Sequence, residues 1–158
     1  MVSKENDSQC FEWLNDYVNG YNKTDNFNRV ARKLVPIRAN KSSVLFELKI
    51  EKEHVNGKCT IHGGQIASLV DIVTACAVSM TVRDIPMVSV EIATSYLLPA
   101  AIDEIITIEG NVQKIGRNMA FAEAEFRRKK DGILIAKGKH TLCLLNHLKK
   151  DDGKVISQ

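Results

Sequence analysis

His62-Gly63-Gly64-Gln65-Ile66-Ala67-Ser68-Leu69-Val70-Asp71-Ile72-Val73-Thr74-Ala75-Cys76-Ala77-Val78-Ser79-Met80 is too long for one strand and apolar on nearly every side. It reads as a helix buried all round, which the rest of the fold must enclose. Asp71 stands alone in it. An isolated ionised carboxylate there is costly unless it is paired, solvated from a cavity, or used. The two glycines at its start let a ligand approach the backbone, where the free amides of a helix start can hold a developing negative charge. Donors for an oxyanion, together with a carboxylate to work on water, point to hydrolysis of an acyl bond.

Upstream, Phe11, Leu14, Val18 and Tyr21 recur at helical spacing. They predict an amphipathic helix capped near Asp7 or Ser8 and stopped near Gly20, followed by an Asn-rich loop from Asn22 to Asn28. Leu34 to Arg38 and Ser43 to Ile50 read as two strands around Ala39-Asn40-Lys41, and His54 to Ile61 as a loop. Downstream, Arg83-Asp84-Ile85-Pro86 breaks the pattern. Val88, Val90 and Ile92 then alternate with Ser89, Glu91 and Ala93 in a strand running on through Tyr96 to Leu98. After the turn Pro99 to Asp103, a strand carries Ile106, Ile108 and Val112 up to Lys114. Gly116-Arg117-Asn118 turns the chain into Ala120 to Phe126, Lys130-Asp131-Gly132 marks a hairpin, and a last strand spans about Ile133 to Leu145.

Short turns imply antiparallel pairing. One strongly curved sheet must then wrap the central helix, an α+β architecture. Residues 1–33 form an N-terminal helix and loop, 34–148 the domain, and 149–158 a loose tail. Such a sheet leaves open edges, so self-association is expected.

The 158 residues suffice for one domain with its own core, and aromatics at 6% leave that core aliphatic. The formal net charge of +3, with acids and bases mixed, tolerates anionic small molecules. No basic block or nucleic-acid motif occurs, so no nucleic-acid partner is expected. Asp71, Gln65 and the hydroxyl residues make the long run a poor membrane span. Cys10, Cys59, Cys76 and Cys143 lack ligand spacing, as do His54, His62, His140 and His147, so neither metal nor cofactor is expected. Met1 to Cys10 has no apolar signal core. The expected location is intracellular and cytoplasmic, with mitochondrial association left open.

The stretch His54-Val55-Asn56-Gly57-Lys58-Cys59-Thr60-Ile61-His62-Gly63-Gly64, followed by Leu69-Val70-Asp71 and later Val88-Ser89-Val90, resembles the hotdog-fold acyl-CoA thioesterases, phenylacetate-degradation-type group. Tyr96-Leu97-Leu98-Pro99-Ala100 and Gly138-Lys139-His140-Thr141 extend the likeness, which covers roughly Leu34 to Leu145. The resemblance implies a hotdog fold acting on acyl-CoA without a cofactor. It implies that Asn56 and Gly63 bind the thioester carbonyl, that Asp71 is the catalytic carboxylate, and that Ser89 helps place the attacking water. Tyr96 and the turn Lys114, Ile115, Gly116, Arg117, Asn118 and Met119 match the region holding the coenzyme A nucleotide, with His62 and Gly64 beside the substrate. Two positions depart: Cys143 stands where some relatives carry a second histidine, and Glu91 where relatives can have Asp.

Each of these residues also has a plainer reading. Asn56 before Gly57 is a turn residue, His62 an orienter of its loop, and Ser89 a strand filler. Lys114 and Arg117 are exposed turn charges, or phosphate partners if the nucleotide lies near them. His54, His140 and His147 read as structural or surface residues. Eight residues separate Gly63 from Asp71, about 12 Å along one helix at ~1.5 Å each. A carboxylate that activates water must come far closer to the carbonyl. A two-fold dimer solves this, with Gly63 and Asn56 of one chain facing Asp71 and Ser89 of the other. The resemblance implies such dimers pairing into homotetramers, and medium- to long-chain acyl groups as substrates. A non-catalytic acyl-CoA-binding or scaffold protein on the same fold is the rival reading, and a hydratase a third.

Overall fold

The computed structural model describes residues 3–148, so the tail read over 149–158 lies outside the described residues. Helix α1 (Ser3–Lys23) leads through a 3₁₀ turn (Phe27–Ala31) to β1 (Val35–Asn40) and β2 (Ser43–Lys49). A second 3₁₀ turn (Lys52–His54) precedes α2 (Gly63–Ser79). Then come β3 (Met87–Tyr96), β4 (Ile105–Ile115), β5 (Met119–Arg128), β6 (Leu134–Leu144) and a final 3₁₀ turn (Asn146–Leu148). The strands form one antiparallel sheet in the order β1-β2-β4-β5-β6-β3.

The core lies between α2 and the sheet, where Leu69, Val70 and Val73 meet Phe46, Leu48, Ile106, Ile108 and Phe126, all buried. Full burial of each such side chain contributes about 1.5–3 kcal/mol. Two glycines let the helix settle close. A Cβ on Gly138 would lie 2.4 Å from Val70 Cγ2, and one on Gly110 would lie 2.9 Å from Val73 Cγ1. Cys10, Leu14 and Val18 of α1 belong to the same core. Arg83, just past α2, sets its guanidinium 4.1 Å from the Trp13 ring centroid and ties α1 to that end of the molecule.

Three expectations need correction. Helix α1 begins at Ser3, ahead of the Asp7 or Ser8 cap, and continues through Gly20 to Lys23. The packing of Tyr17 and Tyr21 against the core outweighs the ~1 kcal/mol penalty of an interior glycine. Helix α2 is not buried all round. Gly64 is exposed, and Ala67, Ser68, Asp71 and Ala75 are partly exposed, forming one stripe at three- to four-residue spacing that no other element covers.

The third correction concerns β3. Its pairing with β6 shifts register between Ser89 and Glu91, so Val90 is the extra residue of a bulge. Ser89 sits opposite buried Leu142 and Ile92 opposite buried His140, while Glu91 sits opposite Thr141. Cross-strand partners share a face, so Ser89 and Ile92 point inward together and Val88 does not share the face of Ile92. Strict alternation would have put Ser89 on the outer face.

The two sheet edges differ. In β1, Pro36 lacks an N–H, its pairing shifts register between Pro36 and Arg38, and α1 packs alongside. Strand β3 is ten residues long without proline, and exposes Val88, Val90 and Ile92.

Candidate active site

The bulge delivers Ser89 to the helix. Its hydroxyl donates to Asp71 Oδ1 at 2.7 Å. The Asp71 side chain is 46 % exposed, because it lies on the uncovered stripe of α2. No described residue bonds its other oxygen, Oδ2. Behind it, His140 of β6 places Nε2 3.5 Å from the same Oδ1. Burial lowers the His140 pKa below the ordinary histidine range, with the Asp71 charge acting against it. From α1, Tyr21 sets its hydroxyl 3.2 Å from Cys76 Sγ on α2. Burial raises the Tyr21 pKa far above the usual phenol range, and raises that of Cys76 to about 11.

A second group of residues gathers at the start of α2. His62 caps the helix, its Nδ1 accepting the Gly64 N–H at 2.8 Å. With the Gly64 amide engaged, the Gly63 N–H is left as an open donor of the first turn among the described residues. Tyr96, at the far end of β3, donates its hydroxyl to Gly63 O at 3.1 Å, and its ring packs on Gly63 so that a Cβ there would lie 3.4 Å from Cε1. Ile61, Gly63, Ile66, Tyr96, Leu97 and Leu98 line an apolar groove of about 320 Å³.

Asn56 turns its amide into its own loop. Oδ1 accepts the Lys58 N–H at 2.9 Å, and Nδ2 donates to Thr60 Oγ1 at 3.1 Å. One amide hydrogen remains uncommitted among the described residues. The turn Lys114 to Met119 closes with Gly116 N–H donating to Met119 O at 2.7 Å. Asn146, in the final 3₁₀ turn, and Leu144, at the end of β6, pin it: the Asn146 side-chain amide donates to Arg117 O at 2.7 Å and the Leu144 N–H to Asn118 O at 2.8 Å. Lys114 and Arg117 are exposed and make no ion pair among the described residues.

One chain therefore brings together Asp71 and Ser89, and separately Gly63, Gly64, His62 and Tyr96. The two groups stay apart. Gly63 and Asp71 are eight residues apart on α2, and Ser89 and Tyr96 are seven residues apart on β3, on the order of 20 Å of strand. The turn at Lys114 to Met119 belongs to the Ser89 end, because Met119, Cys143 and Val88 lie side by side across β5, β6 and β3.

His140 was missed as a member of the site. The sign was present in the alternation of β6, where Ala136, Gly138, His140, Leu142 and Leu144 face inward. A histidine at an inward position opposite a helical carboxylate is a positional signal, although the pairing of helix and strand had to be known to read it.

The thioesterase superfamily model matches residues 60–135. A Caenorhabditis elegans protein bearing a provisional esterase name is 48% identical over 85% of this chain and 81% of its own length. Human acyl-coenzyme A thioesterase 13 is 38% identical, covering 84% of this chain and 95% of that protein. The crystal structure of zebra fish thioesterase superfamily member 2 superposes with a TM-score of 0.82 at 34% identity, covering 86% of this chain and 98% of that one. These likenesses bear out the hotdog fold expected from the sequence.

Proposed function

This chain belongs to the thioesterase superfamily, and from that membership we propose that it hydrolyses medium- to long-chain fatty acyl-CoA to a free fatty acid and coenzyme A. The observation that carries the reading is the Asp71–Ser89 contact on the open stripe of α2. Ser89 and the carboxylate face the same uncovered space, where a water can meet both. Asp71 takes a proton from that water, or attacks the thioester itself to give a transient anhydride. Both routes begin from the ionised carboxylate. The Gly63 amide donates to the carbonyl oxygen as charge develops on it, and the free amide hydrogen of Asn56 joins it there. Lys114 and Arg117 meet the phosphates of the nucleotide, Tyr96 and the backbone of the turn flank it, and the groove beside Ile66 and Leu97 takes apolar chain.

The two separated groups are reunited by a second copy. If two β3 strands pair antiparallel about a two-fold axis, the Tyr96 end of one meets the Val88 end of the other. Gly63, Asn56 and Tyr96 of one protomer then face Asp71, Ser89 and the 114–119 turn of its partner. The unguarded apolar edge of β3 supports this pairing. Further pairing into a homotetramer rests on the family resemblance alone. An intracellular, cytoplasmic location, with mitochondrial association left open, completes the reading, and the exposed free thiol of Cys59 supports a reducing compartment. Among the described residues no helix is long and apolar enough to cross a membrane.

The test is direct. Purified protein mixed with palmitoyl-CoA and a thiol reagent should release free coenzyme A. Asp71→Asn should lower kcat by roughly 10²-fold or more while the circular dichroism spectrum is unchanged. An Asp71→Asn protein with near-wild-type kcat would remove the carboxylate from the mechanism.

A further inference from the structure

His140 is 2 % exposed, and the mechanism above gives it no part. Its ring lies between β6 and α2, with Nδ1 2.6 Å from Thr74 Oγ1 and Nε2 3.5 Å from Asp71 Oδ1. Nε2 is buried and, among the described residues, has no hydrogen-bond partner within bonding distance. Thr74 has one hydroxyl hydrogen and three acceptors around it: Val70 O at 2.7 Å, Asp71 O at 3.2 Å and His140 Nδ1 at 2.6 Å.

Where that hydrogen goes decides the tautomer of the ring. If the hydroxyl bonds Val70 O, the short contact to Nδ1 requires the ring to donate from Nδ1. The lone pair of Nε2 then faces a carboxylate oxygen in a buried space, acceptor against acceptor. If the hydroxyl bonds Nδ1 instead, the ring hydrogen sits on Nε2, and Asp71 Oδ1 is the acceptor it meets. Val70 O loses nothing essential, because the helix already supplies it with the backbone N–H one turn on. The second arrangement leaves no buried acceptor facing another.

We propose that Thr74 and His140 form a positioning pair, in which the Thr74 hydroxyl holds His140 as its Nε2–H tautomer so that the ring steers and stabilises the ionised carboxylate of Asp71. The role deepens the hydrolytic reading above and rests on it. Ser89 and His140 both approach Oδ1, so Oδ2 is the oxygen turned to water. The 3.5 Å separation closes to a hydrogen bond once substrate excludes solvent from the stripe. His140 touches neither substrate nor water. The low pKa that burial imposes keeps the ring a neutral donor at neutral pH.

Thr74→Val removes the hydroxyl at similar volume, and Thr74→Ser keeps it. With palmitoyl-CoA, Thr74→Val should lower kcat about tenfold with KM within about twofold, while Thr74→Ser keeps at least about half of wild-type kcat. The titratable groups facing Asp71 are His140 from β6 and Tyr21 from α1, and burial keeps Tyr21 neutral throughout.

A second readout needs no turnover. The ¹⁵N resonances of the His140 ring, assigned by their loss in His140→Gln, should place the hydrogen on Nε2 in the wild type and on Nδ1, at least in part, in Thr74→Val. A wild-type hydrogen on Nδ1 overturns the pair, and this measurement decides alone should Thr74→Val fail to fold. An inactive Asp71→Asn beside a Thr74→Val protein with unaltered kcat and ring resonances removes the pair and leaves the hydrolytic reading standing. An active Asp71→Asn removes that reading, and the ring resonances still report whether the tautomer is held.

Discussion

His54 and His140 are both buried, and burial lowers the proton affinity of each. The folded pKa of each lies below its unfolded value of about 6.5, so between the two values the unfolded chain binds more protons. Their contribution to stability is complete above pH ~6.5 and is lost as pH falls through the folded values. The carboxylates held below their usual range, Glu51, Glu125 and Asp131, lose their contribution only in the more acidic region near and below pH ~4.3. The melting temperature should therefore fall between pH ~6.5 and ~5, with a shallower slope in His140→Gln. A slope indifferent to His140 would mean that the ring is not titrating with unfolding. At this scale the sequence showed Asp71, because one charge in an apolar run is visible without coordinates. It could not show that Asn56 spends most of its amide on its own loop, since that depends on the fold of Asn56 to Thr60.

Among the elements, α2 and β6 are the pair whose spacing matters most. A Cβ on Gly138 would lie 2.4 Å from Val70 Cγ2, and Val70 is the neighbour of Asp71. Gly138→Ala must lift the helix from the sheet, which should cost about 1–3 kcal/mol in urea unfolding. It should also lower kcat, because Asp71 moves relative to Ser89. Adding Val70→Ala should recover much of both, and a Gly138→Ala protein of unchanged stability would show that the contact relaxes freely. The extents of these elements were legible in the sequence, from the apolar run of α2 to the Lys130-Asp131-Gly132 turn, where Gly132 has φ +72°. Two features were not. The inward aim of Ser89 depends on a bulge at Val90, and a one-residue insertion in pairing leaves no mark on an alternating pattern. The bare stripe of α2 was hidden because Ala67 and Ala75 read as core by hydropathy, while only the placement of the other elements leaves them uncovered.

For the whole molecule, the proposed pairing across β3 would make activity a property of two chains, because Gly63 and Asp71 lie eight residues apart on α2. An Asp71→Asn protein and an Asn56→Ala protein should each be poor alone. Co-expressed, random assembly puts about half of the chains in heterodimers, where one site carries both lesions and the other carries none. The mixture should then show about a quarter of wild-type activity, and size measurement should give at least a dimer. A fully active monomer, or proven heterodimers without recovery, would rule out the shared site. The unequal sheet edges bear on how such pairing ends. A strand edge is a template, and a protein with two good ones can add copies without limit. Here the Pro36 edge, kinked and flanked by α1, is a poor acceptor of another strand. Once one β3 is matched with another, the joined sheet has a β1 at each end, and growth by further strand addition stops. On the proposed pairing, the proline far from the chemistry would act as a chain terminator. Pro36→Val would restore one N–H to that edge and leave α1 as its remaining guard, so the variant should assemble further than the wild type only where α1 does not cover the strand.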